Sequence, residues 1–346
     1  MRAFFTLLPV LILLAACYDQ AAGGAGPRAQ IRVVGSSTVY PFTAIVAERL
    51  VASNPSLATP VIESTGTGAG MRLFCSGIGA RHADAADASR RMSADEYRRC
   101  AVNGAGELLE LQIGLDGVAL VEALDGPGLS LTAADLYRAL AAMPFGRPNR
   151  AQTWADVNPA LPSIPIKVYG PPATSGTRDA LTQLILRRGC QQVDPSSPEP
   201  RLDPATREAR CTRLREDGAF IDAGENDNLI VRKLRADPGA IGVLGYGYLE
   251  ENRSAVRGIA LDGVFPTYRS IAAGRYPGSR PLFLYVKRAH LGAVPGLRTF
   301  LRLYAEAAQP GGALVRRGLI AAPAAIRRRT AVTVAHERPL DPATLS

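Results

Sequence analysis

The sequence has 346 residues, 47% of them hydrophobic, and a formal net charge of +9. This apolar content excludes a disordered chain, and the length suits two globular lobes that each bury a core. The one long apolar run lies at the very start, which excludes a protein that crosses a membrane many times.

The positive charge comes almost entirely from arginine, because Lys167, Lys233 and Lys287 are the only lysines among 40 basic residues. The planar guanidinium of arginine pairs with two oxygens of an oxyanion at once. The longest basic run, Arg327–Arg329, alternates with no aromatic residues that could stack on bases. No nucleic acid is therefore expected as a partner, and a small anion is the sharper hypothesis. An arginine-rich proteome would also explain the excess.

The start of the chain predicts export. Residues 1–16 combine a basic start, a short apolar stretch and small residues, as secretory signal peptides do. The segment Leu14–Cys17 resembles a bacterial lipoprotein box, which implies cleavage before Cys17 and lipid on its sulfur and amino group. A plain signal peptide with a chance cysteine is the alternative. Residues 17–30 are rich in alanine and glycine, which is typical of a flexible tether.

Export makes the four remaining cysteines informative, because an even number in an oxidising compartment favours disulfides. Three pairings are possible. A disulfide between cysteines that are near each other in the sequence would stabilise the fold by ~3 kcal/mol in the chain-entropy model. The predicted pairs are Cys75–Cys100 and Cys190–Cys211. Zinc is the rival, but there is no Cys-x-x-Cys pair and the three histidines are scattered. Neither a metal nor a cofactor is expected.

Strands alternate with helices along most of the chain. Predicted in order are a strand at 31–34, a helix at 42–51, an extended segment at 60–64, a helix from 71, a capping-box helix from 93, an apolar crossover into a second lobe at 109–121, a helix from 131, a strand at 164–169, a helix from 178, a surface loop at 191–210, and strands at 240–244 and 281–286. This alternation predicts an α/β fold with largely parallel sheets.

Three segments repeat one local pattern, in which a strand leads through glycine and small hydroxyl residues into a helix: 35–38, 66–70 and 174–178. The first amides of a helix lack internal partners, and the helix dipole is positive there, so such turns bind anions. One turn alone is usually ordinary capping, but three favour a site. Known nucleotide loops are absent. Neither a nucleophile elbow nor a supported triad histidine indicates an enzyme.

Five motifs together resemble the substrate-binding protein of phosphate ABC transporters: Val34–Pro41, Ser64–Gly70, Ala88–Arg90, Thr174–Asp179 and Pro238–Gly242. The resemblance runs in order from about Ile31 to Pro323. It implies an α/β, two-lobed type II periplasmic-binding-protein fold that closes on phosphate in a cleft. The ligand residues that it implies are Ser37, Thr38, Val39, Thr67, Ser175, Gly176 and Thr177.

Two positions depart from the family pattern. Arg90 stands where the family commonly has an aspartate that accepts the proton of hydrogen phosphate. The family's arginine before Ser-Gly-Thr is also absent, and Arg178 is the natural substitute. Arg90 and Arg178 would then hold the anion from both lobes, whereas a solvent-facing or acid-paired Arg90 is the alternative. Loss of the carboxylate is expected to weaken discrimination against sulfate, unless Asp87 or Asp116 supplies the acceptor.

The resemblance also divides the chain. After the signal peptide and tether, the expected division is a first lobe at 31–114, a second lobe at 115–266, a return to the first lobe at 267–329, and a loose tail at 330–346. The hinges are expected at Gln112–Gly117 and Gly263–Tyr268.

The expected function is that of a monomeric, lipid-anchored receptor on the periplasmic side of the envelope. It would bind inorganic phosphate or a similar oxyanion and deliver it to an ABC permease in the inner membrane. A receptor for a sulfate-like oxyanion, a phosphate-sensing lipoprotein and, less favoured, a phosphatase are the alternatives. A phosphatase would need a base or a metal beside a nucleophile such as Ser37 or Ser175, and the sequence shows neither.

Overall fold

A computed structural model describes residues 29–173, 175–193, 203–224 and 226–345 of the chain. The predicted signal peptide, Cys17 and nearly all of the tether lie outside the described residues. Within the described ranges no helix is long and apolar enough to cross a membrane.

The chain alternates strands and helices as predicted. Up to the first crossing strand, the elements are β1 (Arg32–Gly35), α1 (Tyr40–Ser53), β2 (Val61–Ser64), α2 (Thr67–Phe74), β3 (Ala85–Ala88), α3 (Ala94–Val102) and β4 (Leu108–Ala123). The remainder are β5 (Ser130–Leu131), α4 (Ala133–Leu140), α5 (Trp154–Val157), β6 (Val168–Gly170), α6 (Gly176–Ala180), α7 (Arg187–Val193), α8 (Pro204–Thr212), β7 (Phe220–Asp222), α9 (Asp227–Ala236), β8 (Ile241–Gly245), α10 (Tyr246–Glu251), β9 (Val256–Gly258), β10 (Ala260–Leu261), α11 (Tyr268–Ala272), β11 (Ser279–Lys287), α12 (Leu297–Ala307) and α13 (Ala324–His336).

One long strand, β4, belongs to both halves of the main sheet, whose order is β2-β1-β3-β11-β4-β8-β6-β7. Residues Leu108–Gly117 of β4 pair with β11, and residues Val118–Glu122 pair with β8. We call the strands up to Gly117 of β4 the first half-sheet and those from Val118 onward the second. The β1, β2 and β3 strands are mutually parallel, whereas β11 runs antiparallel to β3 and β4.

Each half-sheet has its own hydrophobic core. On the first, α1 and α12 pack on one face through residues such as Leu50 and Phe300, while Met71 and Phe74 of α2 belong to a separate buried cluster. The second core is built around residues such as Trp154. The predicted two-lobed α/β fold is therefore confirmed.

The return to the first half-sheet comes later than predicted. Ile271 and Tyr276 pack in the second core, and Val118 N–H donates to the carbonyl of Gly278. The chain therefore crosses back just before Ser279, after the boundary expected at residue 266 and after the proposed hinge at Gly263–Tyr268. The apolar packing of residues 267–278 in the second core sets this boundary. Short sequence motifs do not reveal that packing.

The C-terminal residues also differ from the predicted loose tail. Helix α13 continues to His336, with Thr330 and Thr333 buried. The Thr330 hydroxyl donates to the carbonyl of Gln112 in β4, and Leu340 N–H donates to the carbonyl of Leu108 at 2.7 Å. These two hydrogen bonds hold Thr330 and Leu340 against the first residues of β4.

Both predicted disulfides, Cys75–Cys100 and Cys190–Cys211, are present. The first joins the end of α2 to α3, and the second joins α7 to α8. The 191–210 segment was predicted as a loop. In its described residues, α7 runs to Val193 and α8 begins at Pro204.

Candidate functional site

The predicted anion turns of the first half-sheet follow parallel strands that end at one edge. Gly35 at the end of β1 is the register partner of Ser64 in β2 and of Asp87 in β3. Because parallel strands end at the same edge, the turns that follow β1 and β2 lie side by side. Residues 36–39 form the first turn, and the Ser36 carbonyl accepts from Val39 and Tyr40 N–H at 3.2 and 3.0 Å.

The first turn leaves two donors open. The Ser37 and Thr38 N–H groups make no hydrogen bond within the described part of the chain, whereas the Val39 N–H is used inside the turn. Val39 is the N-cap of α1, and no side chain caps that helix. The turn therefore presents backbone donors at a helix N-terminus, which is a favourable arrangement for an anion.

The second turn, predicted at 66–70 with a helix from 71, is itself the start of α2. Gly66 precedes the helix with a left-handed φ of +78°, and Thr67 is the first helical residue. The helix begins early because it lies against β1, where a Cβ on Gly70 would be 2.4 Å from the Gly35 Cα. The Thr67 hydroxyl accepts from Ser89 N–H and lies 3.1 Å from the Ser89 hydroxyl. Thr67 is thus fixed at the same edge as the first turn.

The third turn belongs to the second half-sheet and begins α6. The Ser175 hydroxyl caps α6 by accepting from Thr177 N–H at 3.2 Å. A Cβ on Gly176 would be 3.0 Å from the Thr38 Cα, so glycine allows this turn to approach the first. The Ser37 hydroxyl donates to Asp179 Oδ2 at 3.2 Å. The structure therefore brings Ser37, Thr38, Gly176 and their neighbours together from distant parts of the chain.

An arginine that sequence analysis missed lies between these turns. Arg280 is the second residue of β11 and is only 8% exposed. Its Nη2 donates to Thr38 Oγ1 at 2.7 Å and to the Gly176 carbonyl at 3.4 Å. Its Nε donates to Asp116 Oδ2 at 3.1 Å. A single buried guanidinium thus contacts the turns of both half-sheets. The available signal was a lone arginine at the start of an otherwise apolar strand.

The two arginines singled out from the sequence are held differently. Arg90 donates to both carboxylate oxygens of Glu96 at 2.8 and 2.7 Å, and these hydrogen bonds raise the pKa of Arg90. Its side chain is 49% exposed. This geometry favours the acid-paired alternative for Arg90, because Glu96 already accepts from both terminal nitrogens of the guanidinium.

Arg178 is more enclosed. Its guanidinium lies 4.1 Å from the centre of the Phe220 ring and donates to the Pro171 carbonyl at 3.1 Å. Burial lowers the pKa of Arg178, which nevertheless stays charged. These contacts orient Arg178 beside the third turn, and its role as an anion ligand stays a prediction.

Asp87 lies beneath the first turn and is sealed from solvent, with 1% exposure. Its carbonyl accepts from Ser36 N–H at 3.0 Å. Its Oδ2 accepts from the Thr43 hydroxyl, which in turn lies 2.8 Å from the Tyr304 hydroxyl. Burial raises the pKa of Asp87 to about 8, against the opposing effect of the Thr43 hydrogen bond. A sealed carboxyl cannot touch a bound anion directly.

Known proteins share both the sequence pattern and the fold. The chain matches the PBP superfamily domain over residues 20–307. Protein SphX of Synechococcus elongatus is 29% identical over 314 residues, which cover 88% of this chain and 82% of that protein. Phosphate-binding protein PstS of Staphylococcus saprophyticus is 24% identical over 307 residues, covering 87% and 84%.

Solved structures of other proteins share the fold of this chain. A possible phosphate binding protein from Planctomyces limnophilus superposes with a TM-score of 0.72 at 27% identity, covering 89% of this chain and 98% of that one. An ABC-type phosphate transport receptor from Vibrio cholerae shares the fold, with a TM-score of 0.56 at 20% identity, covering 84% and 99%. The resemblance that the motifs indicated is confirmed.

Proposed function

Because the chain belongs to the PBP superfamily, we propose that it binds inorganic phosphate between its two half-sheets and delivers it to an ABC transporter. The observation that carries this proposal is the meeting of the first and third turns at Arg280, with the second turn beside the first at the same edge of the half-sheet. The relatives named above include phosphate-binding proteins, which supports phosphate as the anion. Their names are those of binding proteins, in keeping with a receptor that is not an enzyme.

The chemistry of the cleft suits a small tetrahedral oxyanion. Backbone N–H groups of the first turn and the N-termini of α2 and α6 offer neutral donors, and Arg280 adds a charged one. Hydrogen bonds to charged groups are stronger than neutral ones when both partners are buried. The ligand residues that we propose are Ser37, Thr38, Thr67, Ser175, Gly176, Thr177, Arg178 and Arg280. Val39, which the resemblance also implied, is left out because its N–H donates inside the first turn.

Closure of the cleft would occur about the two crossings between half-sheets. The β4 strand passes from one partner strand to the other between Gly117 and Val118, and the chain returns next to it at Ser279. Such paired crossings allow a hinge motion, in which an anion that contacts both turns favours the closed state.

Isothermal titration calorimetry of the chain with inorganic phosphate tests the proposal. We expect saturable binding of one phosphate per chain, and comparable binding of arsenate, which has the same shape and protonation chemistry. Absence of phosphate binding would contradict the proposed function. A chromogenic phosphate ester tests the enzyme alternative, and its hydrolysis would favour a phosphatase.

The lipid anchor is a separate part of the proposal and rests on the lipoprotein-like segment at Cys17. We expect the protein expressed in a bacterial host to fractionate with membranes and the Cys17→Ala variant not to carry lipid. Uptake of labelled phosphate by cells lacking the gene separates transport from sensing. Normal uptake in such cells would favour the sensing alternative.

A further inference from the structure

We infer that a groove on the first half-sheet, separate from the cleft, binds an amphiphilic phosphate ester, which is the chemistry of an anionic phospholipid headgroup. The groove lies between α13 and residues 338–344 and has a volume of about 540 Å³; we call it the C-terminal groove. Glu110 of β4 lines it, and Glu110 precedes Asp116 at the cleft by ~20 Å of extended strand. The inference therefore does not depend on which anion the cleft binds.

The floor of the C-terminal groove is fixed, and its charges cancel. Arg91 donates to both carboxylate oxygens of Glu110 at 2.8 and 2.9 Å, and the Tyr285 hydroxyl donates to Glu110 Oε2 at 2.9 Å. The Arg91 guanidinium also donates to the carbonyl and the hydroxyl of Thr344 at 2.7 and 2.9 Å. These hydrogen bonds hold the C-terminal segment against β4, so the groove has a preformed wall.

Three more arginines surround this floor. Arg328 and Arg329 are consecutive residues of α13, and Arg338 follows the end of that helix. Their guanidiniums make no hydrogen bond or ion pair to the residues that the structure describes. Asp341, the second acid of the lining, accepts from Ala343 N–H at 3.0 Å. With four arginines against two acids, the lining has a net charge of +2 and is complementary to an anion.

An apolar surface adjoins these charges. Val332 lies one turn after Arg328 and Arg329, on the same face of α13, and is 44% exposed. Pro339 and Leu340 line the groove from the other side. A ligand that fills the groove therefore needs an anionic group and an apolar body.

A phosphate ester with an apolar body meets both needs. Each guanidinium can pair with two phosphate oxygens at once, whereas inorganic phosphate alone offers nothing to the apolar surface. The volume of about 540 Å³ lies within the range of roughly 300–1,000 Å³ that is usual for organic ligands. Phospholipid headgroups with their first acyl carbons combine these features, and clusters of basic residues at a membrane surface bind them.

The position of the groove also favours a membrane ligand. Leu340 N–H donates to the Leu108 carbonyl at 2.7 Å, and Leu108 is the register partner of Lys287. The same row continues across the half-sheet, because Lys287 N–H donates to the Asp84 carbonyl and Asp84 N–H donates to the Arg32 carbonyl. Arg32 begins β1, directly after the predicted tether. A lipid anchor on that tether would bring this end of the half-sheet near a bilayer.

Calorimetry with short-chain lipids below their micelle concentration tests the inference on the full chain, with inorganic phosphate present so that the cleft is occupied. The probes are dihexanoyl phosphatidic acid, neutral dihexanoyl phosphatidylcholine, and glycerol 3-phosphate, which has the charge without the apolar body. We expect the phosphatidic acid to bind at least ~10-fold more tightly than either of the others. Phosphatidic acid that does not bind would overturn the inference.

Two double variants locate the binding. Arg328→Gln with Arg329→Gln should weaken binding of the phosphatidic acid by ~10-fold or more. The matched control is Arg232→Gln with Arg235→Gln, which removes the same charge from exposed positions of α9 and should change the affinity by less than ~3-fold. Glutamine keeps a good helix former at all four positions.

Each outcome discriminates. Equal binding of phosphatidic acid and phosphatidylcholine would overturn recognition of the charge, and glycerol 3-phosphate that binds as tightly as the lipid would overturn the amphiphilic ligand in favour of a soluble phosphate ester. Equal losses in the two double variants would indicate an effect of net charge and contradict the groove. Titration with inorganic phosphate alone, without lipid, tests the proposed function separately, and both double variants should retain that binding.

Discussion

At the scale of single residues, Arg280 adds a buried positive charge between the first and third turns. Without this charge, the backbone donors of the turns are those of any helix N-terminus. Arg280→Gln keeps a polar but shorter side chain and removes the charged hydrogen bonds to the turns. We expect phosphate affinity to fall by at least ~30-fold, or ~2 kcal/mol, as for loss of a buried charged partner. Calorimetry measures the change.

Arg90→Gln is the matched control for that substitution. Since Glu96 occupies the Arg90 guanidinium and the side chain is half exposed, phosphate affinity should change less than ~3-fold. A loss at Arg90 as large as that at Arg280 would restore Arg90 as a ligand and contradict the acid-paired geometry.

Asp87 makes stability depend on pH. In the folded chain its pKa is raised to about 8 from an ordinary 3.8, so the folded state keeps a proton that the unfolded chain loses. The free energy of unfolding should therefore fall as the pH rises from about 4 to 8, by up to ~1.4 kcal/mol per pH unit from this group.

In the Asp87→Asn variant, the side chain keeps nearly the same shape but has no carboxyl group that titrates. Denaturant unfolding at pH 5, 6.5 and 8 should show a flatter pH dependence for Asp87→Asn than for the unmodified chain, with the largest relative gain at pH 8. Parallel pH profiles for the two proteins would show that Asp87 does not carry the proton.

At the scale of elements, the approach of α6 to the first turn depends on the absence of a side chain at Gly176. A Cβ there would be 3.0 Å from the backbone of Thr38, so Gly176→Ala should hinder closure and weaken phosphate binding by ~5- to 100-fold. Gly68→Ala, in the first turns of α2, meets only the far end of Arg72 at 3.9 Å.

The two alanine variants are compared by phosphate titration and by thermal unfolding without ligand. Gly68→Ala should keep phosphate affinity and raise stability slightly, because alanine favours a helix. Equal affinity losses in both variants would indicate a general effect on the turns, not the contact between half-sheets.

The Cys75–Cys100 disulfide fixes α3 to the end of α2 beneath the first half-sheet. The Cys75→Ala, Cys100→Ala double variant should lower the free energy of unfolding by ~3 kcal/mol, measured by denaturant unfolding. Phosphate affinity of the folded variant should be retained, because neither cysteine lies in the anion turns. A variant as stable as the unmodified chain would contradict this expectation.

Local elements were predictable because their signals are local. The Ser93 capping box is present as its sequence indicates, and the preference for local cysteine pairs gave the correct disulfides. The role of Arg280 was not predictable, since its hydrogen bond to Thr38 joins residues 242 positions apart. Only the pairing of β11 with β4 brings Arg280 and Asp116 together, and no spacing in the sequence reveals that register.

At the scale of the whole molecule, the two half-sheets already touch through protein contacts alone. The Ser37 hydroxyl bonds Asp179, and Arg280 bonds the Gly176 carbonyl. These two contacts join the half-sheets at the proposed anion site. Closure should therefore be favoured further by phosphate, and small-angle scattering should show a smaller radius of gyration with phosphate than without it. An unchanged radius would indicate a cleft that is closed in both states.

A crystal structure of the chain grown with saturating phosphate tests the central claim most directly. The account predicts one phosphate between the half-sheets, within hydrogen-bond distance of Arg280, the first turn and the α6 N-terminus. Phosphate bound elsewhere, or a cleft that holds none at saturating concentration, would contradict it.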